Sequence, residues 1–332
     1  MNRYERQQVL PQVGKSGQAK LSNAKVLVVG AGGLGSPVLQ YLCGAGVGTL
    51  VIVDPDIVEL TNLHRQPLYN ESLVGLAKVD AAKKGLAELN ADIQVIPHAT
   101  TLNPDNAHLL VSHADIVLDC ADSYAASYML SDACLQLGKP LISASALGLN
   151  GYVGGFCASA PSLRAVFPDI PNNMATCATA GILGPVVAMI GVLQAQMTIG
   201  VLLNLFPSPL GQMVSIDLDK YSFSSFRFDN AEEPKSIPFR FISTSSINSK
   251  DLVIDLRGKD EALNPVHPDA LRMSVDMFCD GSFIPTSGKR TVFACRSGLR
   301  AWNAAKNLRN YWDGDIALIA MASVDSKLRI KA

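Results

Sequence analysis

The stretch VLVVGAGGLGSP, residues 26–37, passes from an apolar strand into a loop of four glycines and on into a helix. Gly30, Gly32 and Gly35 give G-x-G-x-x-G, with Gly33 between them. In this context the missing side chains let the backbone approach a phosphate, and helix N–H groups face the anion. Asp54 closes the next strand, where a carboxylate can accept hydrogen bonds from ribose hydroxyls. To this point an NAD-binding loop and an ATP-binding loop read alike.

Outward from the loop, strand and helix patterns alternate. KVLVVG (25–30) reads as a fully buried strand and SPVLQYLCGAG (36–46) as a short helix ended by glycine. TLVIVD (49–54), IQVIP (93–97), ADIVLDCAD (114–122) and PLISAS (140–145) read as further strands, and LAKVDAAKKGLAEL (76–89) as a helix. This alternation predicts an α/β, Rossmann-like fold: a mostly parallel sheet with helices on both faces. At RFDNAEEPKS (227–236) charge and proline replace apolar periodicity. The predicted organisation is a first domain over 1–228, a linker over 229–237 and a smaller α/β domain over 238–332.

The 332 residues are 48% apolar with a formal net charge of −1. That balance gives no general reason to expect nucleic acid or an anionic membrane as partner. The first residues, MNRYERQQVL, lack the apolar core of a signal peptide. Seven cysteines stand singly at 43, 120, 134, 157, 177, 279 and 295, with no CxxC, a usage that predicts reduced thiols in a cytoplasm. Residues 181–206 are apolar and long enough to span a bilayer, yet they carry Pro185, Gln194, Gln196 and Asn204. Those groups are costly in lipid, so a buried helix or a subunit interface is expected instead.

Residues downstream of the loop separate the two nucleotides. In VELTNLHRQP (58–67), Asn62, Arg65 and Gln66 lie just past the ribose carboxylate, and GLAKVDAAKK (75–84) puts Lys78 early on a helix. A dinucleotide's pyrophosphate is largely satisfied by the glycine loop, whereas a triphosphate leaves further charge for cations from separate elements. VLDCADS (117–123) ends a strand with Asp119 and Asp122. Asp119 reads as a capping or turn residue. Asp122 is the better candidate for Mg²⁺, which keeps several waters and needs one or two protein oxygens.

These segments resemble the ThiF/MoeB/HesA proteins, relatives of the ubiquitin-activating enzymes. RYERQ (3–7), GAGGLGS (30–36), VDPDIVELTNLHRQ (53–66), GLAKVDAA (75–82), VLDCADS (117–123) and TCATAGILGP (176–185) fall in family order. The resemblance implies an enzyme that adenylates the C-terminal Gly-Gly carboxylate of a ubiquitin-like sulfur carrier, using ATP and Mg²⁺. It implies that the glycine loop and Asp54 hold the nucleotide, with Asn62, Arg65, Gln66 and Lys78 on it and its phosphates. Asp122 would take Mg²⁺, beside Ser123 where the family often has Asn, and Arg6 would cross a homodimer to the partner's phosphates. Cys177 stands where some members carry a cysteine that joins the carrier. No general base is needed, because a carboxylate nucleophile is already ionised. Family members commonly carry two CxxC pairs for a structural zinc. Here the first reads APSLRAVFP, with Ser162 and Ala165, and the second is missing, so no zinc site is expected.

In the second unit, TVFACRSGLRAWNAAKNL (291–308) is a strand, a loop and an alanine-rich helix. Loop N–H groups and a helix N-terminus around Cys295 are expected to lower its pKa. The loop Cys295, Arg296, Ser297, Gly298, Leu299, Arg300 resembles the C-x-x-G-x-R loop of rhodanese domains, and VIDLR (253–257) their opening strand. This resemblance implies a persulfide on Cys295, loaded from thiosulfate or a cysteine desulfurase. The usual GHIPGA-like segment is absent, with HPDA (267–270) in its neighbourhood, as is the closing pattern. Rival readings are an NAD-dependent oxidoreductase, for which no hydride-handling residues accompany the loop, and a carrier-binding scaffold without turnover. Thiamine, molybdopterin, cysteine and tRNA-thiolation pathways all fit such an enzyme.

Overall fold

The computed structural model describes residues 2–170 and 181–321. After α1 (Glu5–Gln8) and α2 (Gly14–Asn23) the chain enters β1 (Lys25–Val29), α3 (Gly35–Gly44) and β2 (Thr49–Val53). Then come α4 (Lys78–Leu89), β3 (Gln94–His98), α5 (Pro104–Ser112), β4 (Ile116–Asp119), α6 (Tyr124–Leu137) and β5 (Leu141–Leu147). β6 (Asn150–Phe156), α7 (Leu163–Val166), α8 (Gly184–Leu202), β7 (Gln212–Asp217) and β8 (Ser222–Arg227) complete the first sheet and its helices. Its strand order is β3-β2-β1-β4-β5-β6-β7-β8. The pairs from β3 to β5 are parallel and those from β5 to β8 antiparallel.

The strands at its centre are apolar on both sides because both sides are covered. Val26 and Val28 of β1 face α3, α4 and α8 in one core, while Leu27 and Val29 join the other core with residues of α5 and α6. Each such side chain stabilises the fold by roughly 1.5–3 kcal/mol. Connections run outward from β1 to β3 and then return to β4, so β1 and β4 flank the switch point. In open sheets of this kind the ligand crevice lies there, at the strands' carboxyl ends.

The apolar stretch at 181–206 forms α8, long and apolar enough to cross a membrane, but here packed on the sheet. Gly191 lets it approach α3: a Cβ there would stand 2.6 Å from the Leu34 carbonyl. Gln194, fully buried, donates to the carbonyls of Asp119 (2.8 Å) and Ile142 (2.9 Å) and accepts from the Cys120 thiol. A polar residue inside an apolar helix thus fastens it to the ends of β4 and β5.

A second sheet comprises β9 (Arg240–Phe241), β10 (Leu252–Asp255), β11 (Leu271–Arg272), β12 (Thr291–Cys295) and β13 (Ile316–Ala320), in the order β11-β10-β12-β13-β9 and all parallel. One face carries α9 (Leu299–Arg309). That core also contains Ala125, Tyr128 and Ile170 from the first unit, so the two sheets share packed side chains. The stretch at 229–237, expected to be a linker, is fastened too. Glu233 binds Ser162, and Phe228 just before it stacks on Phe156.

Candidate active site

β1 ends in the glycine loop. Gly30 has φ +97°, a conformation only glycine adopts readily, and a Cβ on it would lie 2.5 Å from the Cys120 carbonyl. The chain after β4 therefore runs directly against the loop, which brings Asp122 and Ser123 beside it. Gly33 packs on Val187 of α8, and Gly184 on the carbonyl of His64. Three segments, 54–66, 119–123 and the start of α8, thus converge on one loop at the switch point.

Asp54 is buried, and its two oxygens accept N–H groups from Ala31 (2.7 Å) and Asp56 (2.8 Å). Burial raises its pKa, with the nearby Lys78 charge opposing. The carboxylate so fixes the loop while keeping lone pairs for a ligand hydroxyl. Tyr69 donates to the Ala31 carbonyl (2.8 Å), and Ser36 accepts the Leu68 N–H (2.9 Å). These clamps place Gln66 beside Gly32, whose own Cβ position is open apart from the Gln66 amide at 3.6 Å. Gln66 is 2% exposed, and its Oε1 has no partner.

Asn62 closes a capping box with Glu59, so its side chain shapes the 59–62 turn. Arg65 is held by the Thr61 carbonyl (3.0 Å) and the His64 ring (2.8 Å). Lys78 is buried at its stem and pairs with Asp56 at 2.8 Å. Asp56 stands two residues after Asp54 in VDPD, and sequence reasoning missed it because no local spacing ties it to Lys78. Asp119 is fully buried, accepting from Ser143 (2.8 Å) and from the Ala121 N–H (3.2 Å), and burial pushes its pKa up to about 6. It shapes the turn, as expected, while the exposed Asp122, three residues on, stands beside the glycine loop. Ser123 is the N-cap residue of α6.

Arg6 does not reach this loop. α1 sits at the far end of α3, where Gln7 donates to the Ala45 carbonyl (3.0 Å), whereas the glycine loop lies at the start of that helix. Cys177 lies outside the described residues.

In the second unit the loop after β12 curls round Cys295: the N–H groups of Gly298 (3.2 Å) and Ala301 (3.4 Å) point at its Sγ. The expected fall in its pKa is not found. Burial raises it, outweighing the loop N–H groups and the Arg300 charge, because Cys295 is completely enclosed. Arg300 is neutralised by Glu261 (2.5 Å) and also bonds the Leu256 carbonyl, while Arg296 and Ser297 are exposed.

The profile of the ThiF family matches residues 4–236. The chain belongs to the ThiF family. A relative named "Adenylyltransferase and sulfurtransferase MOCS3" from Culex quinquefasciatus is 42% identical over 275 residues, covering 79% of this chain and 63% of that protein. "Adenylyltransferase and sulfurtransferase uba4" from Aspergillus terreus is 47% identical over 211 residues, covering 60% of this chain and 44% of that one. The chain thus spans less than two thirds of either relative. The crystal structure of E. coli MccB with ATP superposes with a TM-score of 0.61 at 25% identity, over 71% of this chain and 74% of MccB.

Proposed function

We propose that this ThiF-family protein adenylates the C-terminal Gly-Gly carboxylate of a ubiquitin-like sulfur-carrier protein with ATP, and that its second unit supplies sulfur to give a thiocarboxylate. The observation that carries this reading is the open cradle at Gly32. It lies against the Gln66 amide nitrogen, whose neighbouring Oε1 is buried and unpartnered, and is flanked by Asp54 and the Asp122 loop. An orphaned buried acceptor is costly, which a bound nucleotide's amine or hydroxyl would relieve. The relatives named for both activities, and the likeness to MccB with ATP, support it.

The residues fit a triphosphate and one Mg²⁺. Asp122 would hold the ion, which when bound would neutralise phosphate charge; one accessible carboxylate suits an ion that keeps most of its waters. Lys78, steadied by Asp56, and Arg65 would meet the phosphates as charge builds on their oxygens. The carrier's carboxylate attacks the α-phosphate and pyrophosphate leaves, with no base required. Arg6, remote from its own loop, would serve a second copy's site in a homodimer. Cys295 would carry the transferable sulfur as a persulfide, taken from a donor such as a cysteine desulfurase in the cytoplasm.

ATP–pyrophosphate exchange tests the first half. It should require Mg²⁺ and a Gly-Gly-ended carrier, and Asp122→Ala should cut it about a hundredfold, the scale of a lost electrostatic stabiliser. Exchange at the wild-type rate in that variant would remove Asp122 from the reaction.

A further inference from the structure

The helix after the sulfur loop is not presented to solvent. Trp302 of α9 is 1% exposed and stacks on Tyr128 of α6, ring centroids 5.4 Å apart and 12° between planes. Its indole N–H donates to Asp169 at 2.8 Å, and Lys306, one turn on, pairs with the same carboxylate. Arg164 lies 4.4 Å from the Tyr128 ring centre while its guanidinium binds Asp132 at 2.6 and 2.9 Å. At the head of α9, Gly298 (φ +85°) is pressed between Phe241 and Ala125; a Cβ there would stand 3.0 Å from that of Ala125. Ala125 is two residues past Ser123, about 3 Å along the axis of α6. The sulfur loop therefore rests on the first turn of the helix whose cap borders the nucleotide loop.

We infer that α6 joins the two sites, so that Cys295 of a chain delivers its sulfur to the adenylate formed in that same chain, with Asp169 the positioning residue that holds α9 there. This rests on the reading above. Asp169 touches neither the glycine loop nor Cys295, and it grips α9 by both a hydrogen bond and a charge. The terminal sulfur of the Cys295 persulfide forms a bond to the activated carbonyl carbon, and the C–O bond to AMP breaks, AMP leaving with the electron pair. A thiol in solution then attacks the S–S bond on the Cys295 sulfur, releasing the carrier thiocarboxylate and leaving Cys295 in a mixed disulfide. A second thiol frees Cys295. Cys295 is wholly enclosed in the buried cluster that also holds Ala125 and Tyr128, so the loop must part from α6 each time sulfur is loaded or delivered and return to it.

The test uses the whole chain with carrier, ATP, Mg²⁺, a small thiol, and enzyme preloaded with sulfur. Asp169→Ala should leave pyrophosphate exchange and sulfur loading within about twofold of wild type. It should slow single-turnover thiocarboxylate formation at least about tenfold and speed alkylation of Cys295 at least about tenfold. Asp169→Asn, which keeps an acceptor for Trp302, should lose less. Wild-type transfer in Asp169→Ala would overturn the inference, as would a loss of exchange parallel to the loss of transfer. Co-expressed Asp122→Ala and Cys295→Ser chains should form no thiocarboxylate; recovery to about a quarter of wild type would contradict delivery within one chain. A wild-type protein that takes no sulfur at Cys295 would instead sink the reading on which this rests.

Discussion

Glu233 holds Ser162 with both carboxylate oxygens: Oε1 accepts the Ser162 N–H and Oε2 its hydroxyl, each at 2.6 Å. Ser162 is buried and starts α7, where its hydroxyl oxygen also accepts the Ala165 N–H. The pair ties the loop after β6 to the chain after β8.

Glu233→Ala should therefore lower unfolding stability by about 1–2 kcal/mol, toward the low end of the roughly 1.5–3 kcal/mol for hydrogen bonds to charged groups because Glu233 is exposed. A strong chelator should leave the wild-type denaturation midpoint where it is, and elemental analysis should find less than stoichiometric zinc. One zinc per chain would contradict the expectation that Ser162 and Ala165 leave no zinc site.

Gly30 and Gly32, two residues apart, should respond oppositely to the same change. Gly30→Ala meets both a positive φ and the Cys120 carbonyl, and should cost about 2 kcal/mol or more of stability. Gly32→Ala meets only the Gln66 amide at 3.6 Å, so the fold should keep its midpoint. ATP affinity should fall about tenfold, about 1.4 kcal/mol, because the methyl fills the cradle. Calorimetric titration of ATP into a stable Gly32→Ala protein decides; unchanged affinity would place the nucleotide elsewhere.

Asp119 makes stability depend on pH in a defined direction. Burial lifts its pKa from 3.8 to about 6, so between those values the folded protein holds a proton that the unfolded chain has released. Stability from this group is present below 3.8 and is lost as pH rises through about 6. Asp119→Asn removes the titration, so the variant should gain on wild type between about pH 4 and about pH 7 by an amount on the order of 2 kcal/mol. Denaturant unfolding at both pH values measures the gain. An equal difference at the two would show that Asp119 does not titrate in this window.

The β1–loop–α3 unit was legible because a continuous apolar run, clustered glycines and a helical pattern all agree there. β6, β7 and β8 were not, since NGYVGGF and SFSSFR show no apolar face, and β8 is exposed along its length. The positions of Asp54 and the glycines at strand ends, and the part of Asp119 in its turn, could be read there. The pairing of Lys78 with Asp56, the fastening of α8 by Gln194 and the hold of Asp169 on Trp302 are long-range contacts, which no local spacing encodes. Cys295 shows the same limit from the other side. Its loop donors were countable in sequence, but the burial that dominates its pKa comes from the packed core of the second unit.

The most direct test of carrier activation and sulfur transfer is the intact mass of the carrier after incubation with this protein, ATP, Mg²⁺, a thiol and a cysteine-desulfurase sulfur donor. The carrier should exchange one carboxylate oxygen for sulfur. It should remain a carboxylate when Asp122→Ala or Cys295→Ser replaces the wild type. A carrier left unchanged by the wild-type protein, or converted equally by all three, would contradict it.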